Sequence, residues 1–126
     1  MKLKCIFIFI LLFTSCGLHS DGIDVVVKNN SGDTINDVMV HTIYSQLEIG
    51  DMQKGAIFRG HLDMSEEPPA EGGYMLYFMD NHGNDIRVGD GYYTMGQPLY
   101  RRITFKVEPD TVLFKSSNFG RSFKGR

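Results

Sequence analysis

Hydrophobic positions along this chain follow two regimes. Cys5 to Phe13 is an unbroken apolar run of nine residues, flanked by Lys2 and Lys4 before it and Thr14 and Ser15 after it. From Ile23 onward, apolar and β-branched side chains come in short bursts separated by Gly, Pro, Asn and Asp. Within the bursts they mostly alternate with polar residues, the period of a strand with one buried face. Ile23 to Lys28 forms the first burst, and Asn29 to Asp33 closes it with a turn cluster in which Gly32 supplies a positive φ. Ile35, Val38, Val40, Thr42 and Tyr44 mark a second strand, and Ala56 to Leu62 another. Asp63 to Gly73, with Pro68-Pro69 and Gly72-Gly73, reads as a loop.

Tyr74 to Met79 is the most apolar run after the first sixteen residues and is expected at the centre of the core. Asp80 to Asn84 then turns the chain into a short strand, Asp85 to Val88, which Gly89-Asp90-Gly91 ends before Tyr92 to Met95. Leu99 to Val107 alternates Ile103, Phe105 and Val107 with polar residues, and Thr111 to Lys115 follows a Glu108-Pro109-Asp110 turn. No segment sustains a helical period. The pattern predicts an all-β fold, a single small β-sandwich of about seven antiparallel strands.

The first run is too short to cross a bilayer, which takes roughly 20 apolar residues, so with its two lysines it reads as a cleaved secretory leader. Leu12-Phe13-Thr14-Ser15-Cys16 resembles the lipobox of bacterial lipoproteins, with Phe13 where that family usually carries Leu, Val or Ile. The resemblance implies that Cys16 is acylated on sulfur and becomes the mature N-terminus. The alternative is an ordinary leader cut near Ser15 that leaves Cys16 as a thiol. The expected organisation is a lipoprotein signal peptide over 1–15, a lipidated N-terminus and tether over 16–22, and the sandwich over 23–126. Cys5 then leaves with the leader and Cys16 is blocked, so the folded part carries no free thiol in an oxidising compartment. Several acyl chains hold a protein in a membrane where one chain holds it only marginally. In lipoproteins of this type an aspartate after the cysteine favours retention at the inner membrane. Gly17 stands there, and the expected location is the outer membrane, facing the periplasm.

Composition sets further limits. The chain has 126 residues, with 13 basic and 15 acidic side chains. Removing Lys2 and Lys4 with the leader leaves 11 basic residues against 15 acidic ones, a mildly acidic surface that argues against nucleic acid as a partner. The motif Val25-x-Val27-x-Asn29-x-Ser31-Gly32, followed by Ile35-x-x-Val38-x-Val40, resembles the opening hairpin of immunoglobulin-like and transthyretin-like domains in exported bacterial proteins. That resemblance implies a scaffold, which hosts many unrelated functions.

Chemistry-bearing patterns are sparse. There is no Gly-x-Ser-x-Gly elbow, and Gly89 to Gly96 lacks the glycine spacing of a dinucleotide loop, so it reads as a β-turn. His19, His41, His61 and His82 are widely spaced, with none in the close pairs that announce zinc sites. Asp80 to Asp85 places oxygen ligands at alternate positions, but its glycine is misplaced for a calcium loop and the bidentate glutamate is missing, which favours a hairpin turn. Glu66 and Glu67 are adjacent in a Pro-rich loop, where solvation accounts for them. No catalytic residue, cofactor or metal ligand is assigned. Tyr92, Tyr93 and Tyr100 bracket Gly91 and Gly96 and are the candidate binding residues, since tyrosine gives large amphipathic contacts to proteins or glycans. The alternative sends one of Tyr92 and Tyr93 into the core. Lys115 to Arg126, with Arg121, Lys124, Phe119 and Phe123, is either a frayed basic end or a contact for anionic lipid. The expected role is a non-catalytic binding or accessory module of the cell envelope, with a small hydrolase or a structural spacer as alternatives.

Overall fold

The structure, a computed structural model, describes residues 21–117; the leader, Cys16, His19 and the tail beyond Ser117 lie outside the described residues. Nine strands and no helix form within this range: β1 (Gly22–Asn29), β2 (Ile35–His41), β3 (Gln46–Met52), β4 (Ile57–Asp63), β5 (Gly72–Met79), β6 (Asp85–Thr94), β7 (Gln97–Pro98), β8 (Arg102–Val107) and β9 (Val112–Ser117). They make two sheets, in the orders β4-β1-β8-β9 and β3-β2-β5-β6-β7. The expected all-β sandwich is therefore the fold, with nine strands in place of about seven.

The alternation seen in the sequence is what packs the two sheets together. Ile23, Val25 and Val27 of β1 and Ile103, Phe105 and Val107 of β8 are buried, facing Val38 and Val40 of β2 and Tyr74, Leu76 and Phe78 of β5. Fully burying one such side chain contributes about 1.5–3 kcal/mol, and with no disulfide among residues 21–117 this packing is the main source of cohesion. Phe105 also meets Phe114 of β9 edge-on, with ring centroids 5.4 Å apart.

Three departures from the sequence reading matter. First, β1 and β8 pair in parallel, so the strands are not all antiparallel neighbours. A parallel pair needs a crossover, and here nearly the whole domain serves as that connection. Second, β1 and β2 lie in opposite sheets, so the motif from Val25 to Val40 is a crossing between layers and not a hairpin. Buried Asn29 holds that crossing. Its amide donates to the carbonyls of Asp33, Met52 and Gln53, and its Oδ1 accepts from the Ser31 N–H and hydroxyl. One side chain thereby ties the β1–β2 crossing to the β3–β4 crossing. Third, β3 is an edge strand that the alternation does not predict: Leu47 and Ile49 are half-buried, and Met52 at its end is its one core residue.

Register shifts interrupt the β2–β3, β2–β5 and β5–β6 pairings. In β2 the extra residue is Asp37, at φ 53°, which explains why Ile35 and Val38 both face inward although they are three apart. In β6 the chain does not end at Gly89-Asp90-Gly91. The strand continues, and its register against β5 slips between Gly72 and Tyr74, with Gly91 at φ 74° beside the slip. A Cβ there would stand 2.7 Å from Phe114 Cζ, so glycine is required for both conformation and space.

Candidate binding surface at the loop end of the sandwich

Strand directions bring three connections to one end of the molecule: the β2–β3 turn, the β4–β5 loop and the β6–β7–β8 link. The chain also enters at this end, since Asp21 accepts a hydrogen bond from the Met64 amide and Gly22 pairs with Asp63. The end of β9, from which the chain continues to its tail, is here as well, with Arg102 paired to Ser117.

Glu67 joins these connections. Its Oε1 accepts hydrogen bonds from the Thr42 hydroxyl, in the β2–β3 turn, and from the Tyr93 hydroxyl at 3.1 Å, while Oε2 is buried without a protein partner. Thr42 in turn accepts from the Ser45 and Tyr44 amides, and the Gly96 amide donates to the Ala70 carbonyl. The sequence reading placed Glu66 and Glu67 together in solvent; the fold separates them. Glu66 is exposed and Glu67 half-buried between two hydroxyls. Nothing in a Glu-Glu-Pro-Pro loop marks which glutamate turns inward, because the selecting contacts come from residues about 25 positions away on either side.

The three candidate tyrosines do not form one exposed patch. Tyr93 is 2% exposed and packs on Tyr74 with ring centroids 5.5 Å apart. Burial, then the hydrogen bond to Glu67, pushes its phenol above the ordinary range; burial does the same for Tyr74. Tyr100 is half-buried against the core, and Tyr92 faces outward, 46% exposed. The bulge accounts for this split. Ile86 and Val88 point inward, strict alternation would continue through positions 90 and 92, and one extra residue hands the inward place to Tyr93.

What the end presents to solvent is a different set. Among the described residues, large exposed apolar side chains include Ile43, Tyr44, Tyr92, Met95 and Leu99, all on these connections or within three residues of them. Ile43 is 76% exposed and Met95 64%. Such a concentration on adjoining loops is the usual mark of a contact surface. Period-2 alternation predicts a strand through Tyr44, whereas β2 ends at His41 and Ile43-Tyr44 lies in the turn before β3.

The opposite end holds a groove of about 500 Å³ between the sheets, lined in part by Asp33, Asp80, His82, Glu108 and Asp110. Two of its carboxylates, those of Asp80 and Glu108, serve local structure. Asp80 accepts from the His82 and Asn84 amides and from Asn84 Nδ2, forming the expected hairpin turn, and the Asn84 amide foremost holds its pKa below the ordinary range. Glu108 pairs with Lys106 at 3.2 Å. His41 bonds the Thr42 carbonyl and His61 pairs with Asp24 at 3.0 Å. Among the described residues no three His, Cys, Asp or Glu side chains are placed to hold a metal ion together.

Comparison with known protein families and with curated proteins finds no match. The chain is similar in fold to a protein from Eubacterium rectale solved by NMR, with a TM-score of 0.50 and 5% identity over 87% of this chain and 99% of that one. At that identity the likeness is one of fold alone.

Proposed function

We propose that the chain is a lipid-anchored protein of the bacterial cell envelope that works by binding, without catalysis, as an accessory to a protein or glycan partner. Anchoring rests on the leader and Cys16, and the outer membrane, periplasmic side, on Gly17. The observation that carries the binding role is the cluster of exposed apolar side chains on the loop end, held in place from below by Glu67. A sandwich supplies rigid support, and loops on a rigid support are where recognition is most often built.

Two measurements test this. Cys16→Ser should abolish acylation, seen as loss of the lipid mass and of membrane fractionation; an unchanged mass and location would remove the anchor. For binding, the mature protein and its Ile43→Asp/Met95→Asp form are used to capture partners from envelope extract. Both positions are exposed, so the fold should survive. A partner lost with the double substitution supports the loop end as the binding surface, and a partner held equally by both forms moves it elsewhere.

A further inference from the structure

The outward face of the β4-β1-β8-β9 sheet carries a charge opposite to that of the chain. Lys28, Arg59, Arg102, Lys106 and Lys115 all project from it, one or two from each strand. Three of the five, Arg59, Arg102 and Lys115, are exposed and the other two half-buried. The opposing charges on this face are Asp24, which His61 engages, and Asp63 at the end of β4, and Lys106 reaches past the strand end to Glu108. Among the described residues the remaining four cations make no ion pair. In the register of β1 on β8, Lys28 stands directly beside Lys106, which Glu108 neutralises, and Arg102 stands beside Asp24. The same row ends in exposed apolar residues, Ile57 beside Lys28 and Leu113 beside Lys106. The outward face of the other sheet differs, with Glu48 and Asp85 against Arg87, whose guanidinium lies over the Tyr77 ring.

We infer that this basic face lies against an anionic bilayer surface, a reading that rests on the lipid anchor proposed above. Two observations select a bilayer as the occupant. The charge is complementary to anionic headgroups, with Ile57 and Leu113 placed to enter the interface at the margins. The tether is also short: Gly22 stands six positions after Cys16, a reach of at most about 20 Å. Gly22 begins β1, an inner strand of this very sheet, which is itself about 26 Å long. The anchor therefore confines the face to the immediate neighbourhood of the membrane, where each Lys or Arg strengthens attraction about fivefold. With the sheet lying flat, the loop end points sideways along the membrane, open to a partner held in the same bilayer.

The test uses the acylated protein purified from membranes, its mass recorded, and reconstituted into vesicles. With Cys16 acylated, Thr104→Cys on the basic face and Arg87→Cys on the opposite sheet each give a unique site for a fluorescent label. Iodide quenching is read on phosphatidylcholine vesicles with and without phosphatidylglycerol. The expected result is shielding at position 104 only with phosphatidylglycerol, reversed on going from about 0.01 M to about 1 M salt, and an open label at position 87 throughout. Arg59→Gln/Lys115→Gln should lower the ratio of shielded to open label about 25-fold. Equal quenching at both positions, or shielding indifferent to lipid charge, overturns the inference. A mass lacking acyl chains overturns the anchor instead. The face is then decided by whether the same protein sediments with phosphatidylglycerol vesicles at low salt: sedimentation supports it, and a protein left in solution refutes it.

Discussion

Replacing Asn29 by alanine should be among the most damaging single changes in the domain. The side chain is fully buried, and its amide faces three carbonyl oxygens at 2.8, 3.0 and 3.1 Å. An amide has two N–H groups, so one is shared between two acceptors. Alanine leaves the Met52 carbonyl, which is buried, without a partner, at about 1–3 kcal/mol; the part-buried Asp33 and Gln53 carbonyls regain water, so each loses at most about 1 kcal/mol. The sum is about 1–5 kcal/mol. For a domain near 100 residues that corresponds to a fall in Tm of roughly 5–25 °C. The assay is urea and thermal unfolding followed by circular dichroism, with Asn30→Ala, at an exposed neighbour, as the control expected within about 0.5 kcal/mol of the parent. Asn29→Asp sharpens the test. A carboxylate offers no donor to three carbonyls, and burial raises its pKa above the unfolded value. The folded state then binds the proton more tightly, so stability is highest in acid and declines as pH rises through the folded pKa. A loss below about 0.5 kcal/mol in Asn29→Ala would refute the claim that this side chain holds the two crossings together.

Two further outcomes follow from the same geometry. Gly91→Ala forces a left-handed backbone onto a residue with a Cβ and drives that carbon into Phe114, so a loss of about 1–3 kcal/mol is expected in denaturant unfolding, whereas Gly83→Ala, with open space around it, should show the backbone cost alone. At alkaline pH, Tyr74 and Tyr93 keep their protons in the fold beyond the point at which the unfolded chain ionises. Their contribution is complete below about pH 10 and is lost as pH rises through the folded values, so phenolate absorbance should show these two tyrosines ionising together with unfolding.

What the sequence determined by itself was the layer structure. Alternation from Ile103 to Val107 says which face is buried, because successive side chains of a strand point to opposite sides, while the apolar run from Tyr74 to Met79 marks a core strand without saying which of its faces turns inward; turn residues between the bursts fix where the chain reverses. It also holds the apolar run from Cys5 to Phe13 and the Leu12–Cys16 motif on which the proposed anchor rests, a linear pattern that needs no fold. Tertiary structure decided everything that depends on which strands are neighbours. Whether Tyr92 or Tyr93 turns inward is settled by one extra residue at the Gly91 bulge, a register event that two adjacent tyrosines cannot announce. Glu67 becomes the joint of the loop end only because Thr42 and Tyr93 arrive from distant segments. The basic face exists only because β1, β4, β8 and β9 share a sheet, which gathers cations from positions 28 to 115 of a chain with more acidic than basic side chains. Local alternation is a property of the backbone's own geometry; the company that each face keeps is set by long-range pairing.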